Sequence, residues 1–267
     1  MENRVTKNLY FIPYALWIAL FVIAPILLVL YYSFFNIEGA LSLENYQKFF
    51  TPVYLKMTLS SFWYAFLITA ITLLIAYPTA LLLTKTRHKY LWLLLLIVPS
   101  WINLLLKAYA FLGIFGTYGM ANSFLEVIGI GSQQILFTDF SFVFVSVYIF
   151  IPFMILPIFN ALNELNPTLT DAANDLGASR LTTFWRVTLP LTLDGVKVGC
   201  QIVFIPALSL FMLTRLIAGN RVITLGTAIE QHFLVTQDWG MGSTIAVFLI
   251  IIMFLFMKLT GSRKRGI

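Results

Sequence analysis

The sequence predicts an all-α, polytopic membrane protein with six transmembrane helices and both termini cytoplasmic. Three observations predict it. Of 267 residues, 60% are hydrophobic and 10% charged, against about 45–50% and 25% in soluble domains. Long charge-free runs divide the chain, and its cations fall unevenly between the loops that join those runs. A soluble fold this apolar could not cover its surface with polar groups. The composition also excludes a disordered chain, a disulfide scaffold and a secreted enzyme.

A membrane-spanning helix needs about 20 mostly apolar residues. Four runs meet that length: 8–37 between Lys7 and Glu38, 57–84 between Lys56 and Lys85, 140–163 between Asp139 and Glu164, and 239–257 between Asp238 and Lys258. Two tighter runs are 90–106 before Lys107 and 198–214 before Arg215. They suffice if the terminal cation reaches toward the headgroups. The stretch 108–125 is interrupted by Gly113, Gly116 and Gly119. It reads as the end of the third helix plus an external loop. The first run exceeds the 7–15-residue core of a signal peptide, so it is expected to stay as a signal anchor.

Positive charge concentrates in cytoplasmic loops. Six spans put Arg4, Lys7, Lys85, Arg87, Lys89, Arg180, Arg186, Lys197, Lys258, Arg263, Lys264 and Arg265 on one side. Lys48, Lys56, Arg215 and Arg221 fall on the other. The net charge of +6 is therefore a topology signal and not a nucleic-acid footprint. The single Cys200 forbids an intrachain disulfide, and His88 and His232 fall on opposite sides, so a metal site has no support. No nucleophile–base constellation appears, and the chain is expected not to be an enzyme.

Outside the spans, Ser42–Tyr46 reads as a short capped helix and Asn122–Ile128 as an amphipathic piece. The cytoplasmic loop 164–197 carries the sharpest signal. Pro167 suits a first helical turn. Thr168 and Asp171 stand at capping-box spacing. Leu169, Ala172, Ala173 and Leu176 share one apolar face, and Gly177 suits a left-handed stop. The spacing predicts a two-turn helix outside the bilayer. So short a helix is marginal alone and needs a partner's groove or its own bundle.

The same loop reads Asp171-Ala172-Ala173, Gly177, Val187, Leu189-Pro190. It resembles the signature of binding-protein-dependent ABC importer permeases: Glu-Ala-Ala, three residues, Gly, nine residues, Ile, one residue, Leu-Pro. Asp171 replaces Glu and Val187 replaces Ile. The segments Pro99–Asn103 with Lys107-Ala108-Tyr109, Ile151–Pro157 and Asp238-Trp239-Gly240 extend the resemblance to spermidine/putrescine importer permeases over nearly the whole chain. The resemblance implies the type I ABC importer permease fold as a single permease domain, 1–267, in the bacterial inner membrane. It implies a second permease, ATPase subunits, and an external binding protein that delivers the solute. Asp171, Ala172, Ala173, Leu176 and Gly177 map onto the helix that docks on an ATPase, with Arg180 and Pro190 flanking it. The chain has no Walker-type phosphate loop, so ATP is expected on partner subunits and no cofactor on this chain.

Charges near the membrane mark candidates for a pathway or outer gate. On a continuous third helix Lys107 lies roughly 27 Å from the inner boundary at 1.5 Å per residue, as a snorkelling or a gating cation. Arg215 ends the fifth helix and Glu230 lies in the following loop; they either pair at the outer mouth or are two solvated charges. Phe211, Trp101 and Tyr109 could offer cation–π faces to a polycation, or serve ordinary packing. Pro152, Pro157 and Pro206 are expected to kink their spans. Other readings are a permease for another small solute, an ion-coupled secondary transporter, which would need acidic or histidine groups at mid-bilayer, and a non-transporting scaffold.

Overall fold

The structure, a computed structural model, describes residues 4–261. The topology cations Arg263, Lys264 and Arg265 lie outside the described residues. Helices account for most of the described residues. The first, α1, runs over Arg4–Ile18, a π-turn at Ala19–Ile23, and Ala24–Tyr32. Then come α2 (Glu44–Phe49), α3 (Pro52–Thr84), α4 (Lys89–Ile97, tightening to a 3-10 turn at Val98–Trp101), α5 (Leu104–Phe115) and α6 (Met120–Val127). Next are α7 (Asp139–Asn163), α8 (Pro167–Asp175) and α9 (Arg180–Leu208, with a π-turn at Phe184–Thr188). Last are α10 (Met212–Leu216), α11 (Leu225–Glu230) and α12 (Trp239–Thr260).

Among the described residues, six helical stretches are long and apolar enough to cross a membrane: Phe11–Tyr32, Pro52–Thr84, Leu104–Val127, Asp139–Asn163, Arg180–Leu208 and Trp239–Thr260. The number matches the sequence reading, but two boundaries do not. The run 90–106 is not one helix. Ile102 is extended, and Asn103 starts a new helix by accepting the Leu105 N–H at 2.8 Å. The depth inferred for Lys107 from a continuous helix therefore does not hold. The fifth stretch begins at Arg180, not at 198, because Arg186 and Lys197 are compatible with helix even where they are unwelcome in a bilayer. It ends at Leu208, so Arg215 belongs instead to the separate helix α10. The chain breaks at Gly116 and Gly119, but Gly113 lies inside α5, and the third candidate span is Leu104–Val127. The stretch expected to end the third helix and form an external loop is thus itself long and apolar enough to cross, while Lys89–Trp101 is shorter.

The chain groups into two compact units. The smaller comprises Met1–Lys56 and Ala228–Ile252. In it, Phe49 stacks on Phe248 with ring centroids 3.9 Å apart. The buried Asn45 amide donates to the Phe35 carbonyl at 2.8 Å, and Thr244 Oγ1 donates to the Ser33 carbonyl at 3.1 Å.

The larger unit comprises Met57–Thr227 and Met253–Ile267. Its core is the pairing of α7 with α9. Phe142, Ile155, Ile158 and Phe159 of α7 are buried there. Tyr77 Oη and Thr192 Oγ1, 2.8 Å apart, join α3 to α9. Helix α7 continues through Pro152 and Pro157, whereas Pro206 lies two residues from the end of α9.

Candidate functional site

The loop helix α8 forms for local reasons. Pro167 occupies its first turn, where no N–H is needed. The Asn166 side chain accepts the Thr168 N–H at 3.1 Å. The cap is thus Asn166, and not Thr168 as the capping-box spacing suggested. A proline at the first helical position makes its predecessor the cap. The predicted stop is present. Gly177 has φ +82°, its N–H bonds the Asn174 carbonyl, and the Ala178 N–H bonds the Ala173 carbonyl. These paired bonds satisfy the last carbonyls and reverse the chain.

No residue of α8 is buried. Asp171 and Ala172 are exposed, Ala173 is half-buried, and Leu169 is exposed. Leu176 is 89% exposed at the end of the helix. The expected apolar face therefore exists and is uncovered within this chain. The helix is held at its base instead: Asn174 Oδ1 accepts from Thr183 Oγ1 at 3.4 Å. Ser179 then caps α9 by accepting the Thr182 N–H at 3.2 Å, and exposed Arg180 follows it. Pro190 sits just past the π-turn, where the Leu189 N–H reaches back to Phe184. That longer step accommodates a proline, which lacks a donor and crowds the preceding turn.

Thus Asp171, Ala172, Ala173, Leu176 and Gly177 form one element with Arg180 beside it, while Pro190 lies farther along α9. The element presents an apolar knob on a small-residue helix. It offers a surface for docking and holds no nucleophile.

The pathway candidates are carried by several different elements. Lys107 is 8% exposed, and its ammonium donates to the Ser100 carbonyl at 3.2 Å. It therefore closes the break between α4 and α5. Trp101, in that break, is 77% exposed, and Tyr109 is also exposed. Phe211 immediately precedes α10 and Arg215 lies on it, the Arg215 N–H bonding the Phe211 carbonyl, and both are exposed. Half-buried Glu230 ends α11 and belongs to the smaller unit. Sequence reasoning missed Asn166, Asn174 and Thr183. Their signal was the Asn-Pro dipeptide and short polar residues at a loop helix's base.

No protein-family model matches the chain. It is 36% identical over 249 residues to the spermidine/putrescine transport system permease protein PotB of Haemophilus influenzae, covering 90% of this chain and 87% of that protein. It is likewise 36% identical over 251 residues to the PotB protein of Escherichia coli K12, covering 90% and 91%. A molybdenum transport system permease protein, ModB of Mycobacterium bovis, is 27% identical over 198 residues, covering 73% and 74%. Among solved structures, a bacterial ABC transporter that imports the acidic polysaccharide alginate contains a chain of the same fold. Its TM-score is 0.76 at 17% identity, with 97% of both chains covered. The alginate transporter in complex with its pentasaccharide-bound periplasmic protein matches at TM-score 0.78 and 15% identity, covering 97% of this chain and 94% of that one.

Proposed function

The chain belongs to the PotB-type permeases of ABC importers, and on that premise we propose that it carries polyamines inward as one of two paired permeases. It is a multi-pass protein of the bacterial inner membrane. An external binding protein delivers spermidine or putrescine, and two ATPase subunits supply the energy. Helix α8 docks in a groove of one ATPase and transmits its closure to the spans. The chain binds no cofactor, and ATP stays on the partners. Phe211, Arg215, Glu230, Lys107, Trp101 and Tyr109 serve the pathway or its outer gate.

One observation carries the coupling assignment: α8 is capped at both ends yet leaves Leu176 89% exposed. An uncovered leucine on a small-residue helix is the form of a helix-in-groove anchor. The polyamine assignment draws its support from the names of the relatives. The solute is the point on which a second reading stands, because relatives of this fold serve molybdenum and alginate transport.

Reconstituted with its partners, the wild-type chain is expected to take up labelled spermidine or putrescine only with ATP. Gly177→Asp is expected to abolish uptake while assembly continues. Uptake driven by an ion gradient without ATPase would overturn the reading. Failure of both polyamines to compete would redirect the solute alone.

A further inference from the structure

Behind the loop helix lies a cavity of about 760 Å³. Three cations line it: Lys85 just past α3, Lys89 at the first turn of α4, and Arg180 at the start of α9. Asn163, Asn174 and Thr183 add amide and hydroxyl groups. None of the described residues lining it is acidic. Lys85 and Lys89 flank one turn, but Arg180 arrives from a distant loop, so the fold gathers the charge. Like charges sharing a partly enclosed space repel one another more strongly than in bulk water. Lys89 Nζ donates to Asn163 Oδ1 at 2.5 Å. That neutral oxygen fixes the ammonium without cancelling its charge.

We infer that this cavity binds the phosphate of an anionic lipid headgroup. Phosphate oxygens accept charge-assisted bonds from ammonium and guanidinium groups, and the Arg180 fork can engage two of them at once. The cavity lies where α3 and α7, two candidate spans, end at Thr84 and Asn163. Headgroups lie at that level of a bilayer. Leu162 and Phe184 supply apolar wall for the glycerol end of the acyl chains. Basic pockets between transmembrane helices are recurring sites for such headgroups. The same cations repel a polyamine, so the cavity is not a station for the cargo.

Its wall also includes Thr170 and Asn174 of α8. A bound headgroup therefore touches the loop helix on one side and the span ends on the other. Resting on the assignment of α8 as the coupling helix, occupancy favours one placement of that helix and makes ATPase coupling sensitive to anionic lipid.

The test titrates the assembled transporter, in detergent and without ATP, with a fluorescent phosphatidylglycerol. A phosphatidylcholine analogue is the neutral control. Saturable binding of the anionic lipid alone is expected. Lys85→Gln and Lys89→Gln singly weaken it about fivefold each, and the triple variant with Arg180→Gln about a hundredfold. The pair Lys48→Gln and Lys56→Gln leaves it unchanged. Equal binding of the neutral lipid, or wild-type affinity in both single variants, would overturn the inference. Displacement by millimolar inorganic phosphate would overturn the lipid assignment in favour of a soluble phosphate ligand. Because binding is read without ATP, its failure leaves the coupling assignment standing. An inert Gly177→Asp would leave the binding result standing.

Discussion

Gly195 of α9 backs directly onto Pro157 of α7: a Cβ built on Gly195 would lie 2.6 Å from the Pro157 carbonyl oxygen and 2.6 Å from the Ala161 Cβ. One turn on, a Cβ on Gly199 would lie 2.7 Å from the Met154 sulfur. The two glycines form the small-x-x-x-small spacing that lets membrane helices approach closely. Gly195→Leu is expected to destabilise the chain by about 1–3 kcal/mol through overpacking, read as a lower melting temperature in detergent. Gly113→Leu is the control. A Cβ there meets nothing within 4 Å, and its melting temperature is expected to stay at wild type or rise.

The number of spans was legible in the sequence because long apolar runs are a local pattern, but the place of the third was not. What absence of charge reports is membrane depth, not helix continuity. Hence 90–106 read as one helix although Asn103 restarts the chain there. Hence also α9 read as starting at 198, although Arg186 and Lys197 sit comfortably on it. The stop of α8 was legible because only a residue tolerant of positive φ suits Gly177. Its start was not, since Asn166 and Thr168 are both good caps, and Pro167 decides between them. The cavity behind α8 was invisible in the sequence. Arg180 meets Lys85 and Lys89 only through tertiary structure.

Substitutions at Leu176 and Gly177 test the proposed coupling role apart from folding. Leu176 is 89% exposed, so Leu176→Ala removes almost no buried surface. Its melting temperature is expected to match wild type, while ATP-driven uptake by the assembled transporter falls at least tenfold, about 1.4 kcal/mol of lost docking. Gly177→Ala acts differently. A Cβ at φ +82° is strained by about 1–2 kcal/mol, although no atom lies within 4 Å of it. Hydrogen exchange is expected to rise across 167–178 alone. Unchanged uptake in Leu176→Ala would detach this helix from the ATPase.

Lys107 tests whether a buried cation is tolerated or used. It is 8% exposed, and the Ser100 carbonyl accepts its ammonium. A buried charge is costly without full compensation. Lys107→Met, similar in length and uncharged, is expected to leave the melting temperature unchanged or raise it. If the charge serves the pathway, uptake falls severalfold in the same variant. Equal uptake would remove Lys107 from the pathway, and a lower melting temperature in the same variant would assign it to closing the helix break through the Ser100 carbonyl.

His232 gives the smaller unit a pH dependence. Its Nε2 lies 2.9 Å from Tyr54 Oη, and its Nδ1 lies 3.4 Å from Thr236 Oγ1 and 3.9 Å from Asp238 Oδ2. Asp238 Oδ1 in turn accepts the Met241 N–H at 3.0 Å, at the start of α12. Burial pushes the His232 pKa below its ordinary value, and the Asp238 carboxylate opposes that shift only in part. The folded chain therefore holds this imidazole neutral at a pH where the unfolded chain has protonated it. Through this window the unfolded state binds more protons, so stability rises with pH. The contribution is intact above the ordinary histidine value near 6.5 and is lost as pH falls below it toward the depressed value. Melting temperature is expected to drop between pH 7 and pH 5. His232→Gln, which cannot titrate and can still bond Tyr54, is expected to flatten that part of the slope. A slope identical in wild type and His232→Gln would assign the acid sensitivity to other groups.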